Sequence, residues 1–179
     1  MKNLCLTVLL IVMAFVPHAR AESVSADDIA VVDVVVLLRD SKASKSIESQ
    51  IQDYRKDFKE EIASQEKELR NLETDLVENK DKLEPEQFTK KRKTFEKKLR
   101  ELQTNTQKKR FSLDKSASKA VGTLQAEITK IVGQMAKDND YKLVITRDQV
   151  VVVTSDIDIT NDVMTALDEK LPKIKVEVE

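Results

Sequence analysis

The chain has 179 residues, of which 35% are charged and 4% are aromatic, and it contains two Gly, one Cys, one His and no Trp. This mixture is typical of long solvated helices. The scarcity of Cys and His argues against most metal sites and against enzymes that use a nucleophilic thiol or an imidazole base.

Residues 1–21 have the pattern of a secretory signal. Lys2 begins a short basic region, Leu4 to Val16 is an apolar stretch of 13 residues, and Ala19-Arg20-Ala21 is an A-x-A cleavage site. Thirteen residues fall short of the roughly 20 needed to span a bilayer, which favours cleavage over a membrane anchor. We therefore predict export and removal of residues 1–21.

The predicted mature chain has 29 basic and 32 acidic residues, a net charge of −3, and contains neither Cys nor His. No disulfide can form in it. It has no imidazole for base catalysis or metal binding, no thiol nucleophile and no Gly-rich phosphate loop. We therefore predict that the protein is not an enzyme and that it uses no cofactor or metal ion.

The first predicted elements follow a polar start. Ile29 to Val32 is a short β-branched run that suits a buried strand, and the run from Val34 to Ser41 is ambiguous between strand and helix because it lacks periodicity. We favour a short helix. Ser44 or Ser46 could cap the long helix that comes next.

Two long helical patterns occupy the middle of the chain, from Ile47 to Lys80 and from Pro85 to Met135. Their apolar residues recur at steps of three and four, which forms the narrow seam of a coiled coil. Residues 47–136 are therefore predicted to form an antiparallel helical hairpin with its tip near residues 81–86. The second stripe thins between Leu102 and Leu113.

Strand spacing returns after the second long helix. Tyr141 to Thr146 and Val150 to Thr154 are β-branched runs on either side of Arg147-Asp148-Gln149, a pattern that predicts a β-hairpin. A final helix is expected after the capping segment Asp158-Ile159-Thr160, ending before Pro172.

The fold class is therefore α+β, with a long helical-hairpin arm on a small β-structured base formed by residues 22–46 and 137–179. The base amounts to about 70 residues, a size at which one core is marginal, and its strands are too apolar to stay exposed. Burial between copies of the chain would solve this problem. The candidate oligomerisation and base residues are Ile29, Val31, Leu143, Ile145, Val151 and Val153.

Charge is distributed unevenly between the arms: residues 48–79 have a net charge of −5 and residues 80–119 a net charge of +8. The basic residues could pair with the acidic first arm or attract an acidic partner such as anionic lipid, lipopolysaccharide or an acidic unfolded chain. Nucleic acid is disfavoured by the export signal and the negative net charge.

Several segments together carry a family resemblance. They are Ile29-Ala30-Val31-Val32-Asp33, Leu72-Glu73-Thr74-Asp75-Leu76, Thr94-Phe95, Leu143-Val144-Ile145 and Asp158-Ile159-Thr160. In this order and spacing they cover essentially the whole mature chain. The chain resembles the Skp (OmpH-like) periplasmic chaperones of Gram-negative bacteria.

The resemblance implies a periplasmic homotrimer, whose base is built from three chains and whose helical arms enclose a central cavity. It also implies an ATP-independent holdase that binds unfolded outer-membrane proteins and prevents their aggregation on the way to the outer membrane. The alternative is a non-enzymatic structural or adaptor coiled-coil protein of the periplasm.

The resemblance further implies a lipopolysaccharide site on the second arm. Aligned through Phe95, its basic positions correspond to Lys98, Lys108 and Lys109, and an acidic position on the first arm corresponds to Glu61. The family pattern has two arginines where this chain has Lys108 and Lys109. Lysine keeps the charge but lacks the planar fork that binds phosphate through two hydrogen bonds.

Overall fold

A computed structural model describes residues 25–178. The predicted signal at residues 1–21 lies outside this range, as do the first three residues assigned to the base. The described elements are strand β1 (Ile29–Val32), helix α1 (Val34–Asp40), helix α2 (Lys42–Glu78), helix α3 (Pro85–Asp138), strand β2 (Leu143–Thr146) and helix α4 (Thr160–Lys170). There are also three short 3-10 turns: Ala26–Asp28 precedes β1, and Arg147–Gln149 and Ser155–Ile157 lie between β2 and α4.

Helices α2 and α3 form the predicted hairpin. They contain 37 and 54 residues and pack against each other, which at 1.5 Å per residue gives lengths of about 55 and 80 Å. Pro85 occupies the first turn of α3, where its missing N–H leaves no helical hydrogen bond unmade. Residues 79–84 connect the two arms.

The start of α2 differs from the expectation that Ser44 or Ser46 would cap it. Ser41 is the N-cap, and its buried side chain accepts a hydrogen bond from the Ser44 N–H at 3.3 Å. The short helix α1 ends immediately before it, so the arm begins five residues earlier than predicted. Ser44 uses its hydroxyl to donate to the Leu38 carbonyl instead.

The ambiguous segment after β1 forms the short helix that we favoured. Asp33 caps α1 by accepting a hydrogen bond from the Val36 N–H at 2.9 Å. Its own N–H donates to the Thr160 hydroxyl at 2.8 Å, which ties the start of α1 to the start of α4. One residue therefore joins β1, α1 and α4.

Strands β1 and β2 pair in parallel, with Ile29 beside Leu143 and Val31 beside Ile145. The predicted β-hairpin is therefore wrong: residues 150–154 form no strand, and Arg147–Gln149 is a 3-10 turn. A two-residue bridge from Val31 to Asp158 takes the other edge of β1. Within one chain, β2 gains more by pairing with β1 beside the core than by folding back on residues 150–154.

The core lies where the base meets the N-terminal part of α2 and the C-terminal part of α3. Leu37, Leu124, Ile128, Val163 and Leu167 are each at most 2% exposed and form one cluster with residues of β1. Helix α4 buries its apolar face here and ends before Pro172, as its sequence predicts. The α+β fold class, with a helical arm on a small β-containing base, is thus confirmed.

The segment after α4 adds a feature that the sequence analysis did not predict. Residues 173–178 extend away from the base along the hairpin, and Ile174 and Val176 are buried in the same core cluster. Gln50 on α2 and Ser116 on α3 hold their backbone by hydrogen bonds. This segment, which we call the C-terminal tail, covers the lower part of the cleft between the arms.

Candidate functional site

One face of the two-stranded sheet groups four of the six predicted oligomerisation residues. Side chains alternate along a strand, and residues paired in register share a face. Ala30 and Val32 belong to the core cluster, so the opposite face presents Ile29, Val31, Leu143 and Ile145. Val31 is nevertheless buried, whereas Leu143 is 49% exposed.

The other two predicted residues, Val151 and Val153, lie in the irregular segment after β2. Val151 is 98% exposed and its neighbour Val152 is 81% exposed, whereas Val153 is half-buried. Adjacent exposed apolar side chains, unlike an apolar side chain that is exposed singly, often mark a surface that another molecule covers. We call Leu143, Ile145, Val151 and Val152 the apolar base surface.

A recess of about 460 Å³ lies on the other side of the sheet, against the lower part of α3. Val35, which is 63% exposed, stands at this recess together with Val132 and Val144. In the described chain β2 has only one neighbouring strand, so its other edge keeps unpaired backbone groups. The base therefore presents both apolar side chains and strand-pairing groups.

The arms show how much of the basic surplus is neutralised within the chain. Lys91 pairs with Asp75, Lys98 pairs with Glu68, and Lys109 pairs with Glu61, each bond joining the second arm to the first. The hydrogen bond from Lys91 lowers the pKa of the Asp75 carboxyl below its ordinary value. These pairs are exposed, so each contributes little to stability.

The three lysines proposed for lipopolysaccharide binding do not converge on one point. Lys98 and Lys109 both face the first arm through their ion pairs, and Lys109 also lies 5.8 Å from the centre of the Phe58 ring. Lys108 is exposed and has no ion pair among the described residues. Successive helical residues differ by about 100° in direction, which separates Lys108 from Lys109.

A second basic surface lies toward the tip. Lys90, Lys93 and Lys97 line an open groove of about 700 Å³ with Pro85 and Glu86. Lys97 reaches Glu101 at 3.7 Å on the same helix, but no ion pair joins Lys90 or Lys93 to the first arm within residues 25–178. Positive charge is therefore more available here than around Lys98 and Lys109.

Metal clusters and membrane-spanning helices are both absent from the described part of the chain. Across residues 25–178, no three His, Cys, Asp or Glu side chains are grouped so that they could hold a metal ion. None of the helices described is both long and apolar enough to cross a membrane.

Comparison with known proteins places this architecture in a family. The sequence profile described as "Outer membrane protein (OmpH-like)" matches residues 28–167, and the chain therefore belongs to the OmpH-like family. This confirms the resemblance found in the sequence. No curated protein sequence matches the chain.

A solved structure shares the fold. It is the crystal structure of a protein from Caulobacter crescentus CB15 named a "putative outer membrane chaperone (OmpH-like)". The two chains superpose with a TM-score of 0.79 over 88% of this chain and 93% of the other, at 16% sequence identity. At that identity the likeness concerns the fold.

Proposed function

We propose that this protein is an ATP-independent holdase chaperone of the periplasm, which binds unfolded outer-membrane proteins between its helical arms and prevents their aggregation. Family membership and the named relative support a chaperone role. The observation that carries the proposal is the hairpin itself: two arms of 37 and 54 residues extend from a small base and bury few side chains along their outer parts.

The physical fit lies in how loosely the outer arms are held. Beyond Leu69 on α2, and before Leu113 on α3, the seam residues are half-buried or exposed. Weakly packed elements open at low free-energy cost, so the arms can change their separation to suit clients of different size. Many weak apolar and charged contacts would then give broad specificity.

The direct test is aggregation of an unfolded outer-membrane β-barrel protein diluted from urea. We expect the purified chaperone to suppress light scattering at a small molar excess and without ATP. Continued aggregation at a large excess would contradict the proposal. Capture of a folded envelope protein, with no affinity for unfolded chains, would instead support the structural or adaptor role.

We further propose that the apolar base surface is buried in a homotrimer. Unpaired strand groups of β2 and exposed apolar residues at 143–152 are the features that subunit contacts would cover. The count of three follows from the family resemblance. Light scattering should therefore give three times the mass of one chain.

A matched pair of substitutions tests this base surface. Val151→Asp places a carboxylate on the base, and Val77→Asp makes the same change at a 72% exposed position on the arm. We expect Val151→Asp to reduce the trimer fraction strongly and Val77→Asp to leave it intact. Equal masses for both variants would exclude Val151 from the interface.

The lipopolysaccharide proposal assigns Lys98, Lys108 and Lys109 to an anion-binding site. Because two of them are paired with glutamates, an incoming phosphate must compete with Glu61 and Glu68. Changing all three to Ala should weaken lipopolysaccharide binding in a salt-sensitive way. The control changes Lys90, Lys93 and Lys97 to Ala, which removes the same charge near the tip; an equal loss in both variants would indicate bulk charge attraction in place of a site.

A further inference from the structure

The C-terminal tail lies in the cleft between α2 and α3 with the burial pattern of an extended strand. Ile174 and Val176 are 8% and 1% exposed, whereas Lys173, Lys175 and Glu177 between and beside them are exposed. Burial with a period of two is what an extended chain produces when one side of it faces a surface. The tail therefore lies in the cleft as a single strand would.

The cleft holds this strand by its backbone. Gln50 donates from Nε2 to the Ile174 carbonyl at 2.7 Å, and its Oε1 accepts from the Val176 N–H at 3.0 Å. The Ser116 hydroxyl donates to the Glu177 carbonyl at 2.6 Å. These bonds use groups that every peptide possesses, so they do not select a sequence.

The tail also places apolar side chains at alternate positions, on the side that faces the cleft. Ile174 and Val176 pack into the cluster that contains Ile47, with Ile51 beside it. A recess of about 370 Å³ continues beside Val178, lined by Tyr54, Phe58 and Leu113, with Glu61 and Lys109 at its polar side. The cleft thus offers apolar surface beyond the part that Ile174 and Val176 cover.

The tail also lies outside the residues that match the family profile. The family profile ends at residue 167, and α4 ends at Lys170, before the tail begins. Its two buried side chains contribute to the core of the base, yet its only described hydrogen bonds to the arms join its backbone to side chains of α2 and α3. It can therefore leave the cleft without unpairing a β-sheet or a helix.

We propose that this cleft is a binding site for extended peptides in which apolar and polar residues alternate, and that the tail occupies it until such a peptide displaces it. The proposal rests on the proposed holdase function and adds a site to it. Strands of outer-membrane barrels alternate between lipid-facing apolar and lumen-facing polar residues. An unfolded client therefore presents the same pattern as the tail.

The tail competes with a free peptide for the cleft, and its covalent connection to α4 favours the tail. A short connection through Leu171 and Pro172 keeps the tail at an effective concentration on the order of millimolar near its cleft. An isolated peptide at micromolar concentration would then bind weakly while the tail is in place. Release of the tail should expose the full affinity of the cleft.

The test uses a fluorescent peptide with the sequence of residues 172–179 as the probe. We expect the variant Ile174→Asp with Val176→Asp to bind it at least about tenfold more tightly than the unaltered protein, because two buried carboxylates expel the tail. The control, Lys173→Asp with Lys175→Asp, places the same residues at exposed positions and should bind like the unaltered protein. Equal affinity in all three proteins would overturn the proposal.

A variant that lacks residues 173–179 is the control for misfolding caused by buried aspartates. With helix content checked by circular dichroism, it should bind the probe as tightly as the double aspartate variant. In this deletion background Gln50→Ala should weaken binding, whereas Gln52→Ala, at an exposed residue bonded to Glu48, should not. A deletion variant that binds no more tightly, or equal binding by both glutamine variants, would refute the site.

A second peptide separates strand recognition from general hydrophobic attraction. It has the same composition as the probe but places its three apolar residues consecutively, which removes the alternation. We expect at least about tenfold weaker binding to the tail-deleted protein. Equal binding of the two peptides would overturn the inference that the cleft recognises an alternating strand.

The aggregation assay with the same variants distinguishes this proposal from the holdase function. Probe binding as expected, without protection of any unfolded outer-membrane protein, would overturn the holdase function and leave a peptide site. Full protection by every variant, with no probe binding, would overturn the cleft proposal and leave the holdase function.

Discussion

The two ends of the hairpin differ in how they are packed, although both belong to the same two helices. Near the base, α3 is covered by α2, α1, α4 and β2, and Leu124 and Ile128 are almost fully buried. Farther from the base than Leu69 on α2 and Leu113 on α3, the described arms pack mainly against each other. A second helix covers just one stripe, so outer seam residues remain half-buried.

Stability and adaptability therefore lie in different parts of the hairpin. The base holds the buried cluster that keeps the chain folded, while the outer arms are held by a thin seam and by exposed ion pairs such as Lys98 with Glu68. Exposed ion pairs contribute little. The outer arms can therefore move without cost to the core, which is a property that the proposed holdase function requires.

The largest expected effect comes from the same truncation made in the two regions. Leu37→Ala in the base removes a side chain that is 0% exposed and should cost about 3 to 5 kcal/mol, as fully buried leucines do. Leu69→Ala in the arm should cost about 2 kcal/mol or less, because Leu69 borders a recess of about 180 Å³.

Urea unfolding followed by circular dichroism, at one protein concentration, measures both values. A fixed concentration is needed because subunit association would shift the transition. Equal costs for the two truncations would contradict the contrast between a dense base and a loose arm.

A smaller effect is expected from the residue that joins three elements of the base. Asp33→Ala removes the cap of α1 and should lower the free energy of unfolding by about 1 kcal/mol. Asp33→Asn keeps a side-chain acceptor for the Val36 N–H and should lose much less. If both variants lost the same amount, charge and not capping would be the role of Asp33.

The smallest effect concerns acid stability at the contact between α3 and α4. The Lys170 ammonium lies 3.0 Å from Glu127 Oε1 and lowers the pKa of that carboxyl, with desolvation opposing it and Lys130 assisting.

A carboxyl group whose pKa is lowered in the folded state stabilises the fold at pH values above its ordinary pKa of about 4.3. This stabilisation is lost as the pH falls below about 4.3 and through the pKa of the folded state. Glu127→Gln should therefore reduce the loss of stability that occurs as the pH falls through and below about 4.3. Urea midpoints across that range measure it, with Glu86→Gln at the exposed start of α3 as the control. Identical pH profiles for Glu127→Gln and the unaltered protein would show that the contact is unimportant.

Local patterns were enough to predict most elements. Steps of three and four residues identified both arms, Pro85 marked the start of the second, and Pro172 follows the last helix. The cap of the first arm was misplaced because Ser41, Ser44 and Ser46 are equally suitable chemically. Only the end of α1 against the core selects Ser41.

The candidate site was less accessible to sequence reasoning. Val150 to Thr154 has strong strand propensity, yet a strand also needs a neighbour, and within the chain β1 takes β2 instead. The tail was missed although its alternation of Ile174, Val176 and Val178 is visible in the sequence. Three alternating residues next to a proline did not reveal which surface they would meet.

Sequence reasoning is enough to predict the helical arms, the asymmetry of their charge and the family, because these depend on periodicity, composition and residue order along the chain. Long-range contacts are needed to establish which strands pair, which lysines are bound by glutamates on the opposite arm, and where the tail lies. Each of those outcomes is a contact between residues far apart in sequence. Its free energy depends on what else competes for the same partner, and no local pattern contains that competition.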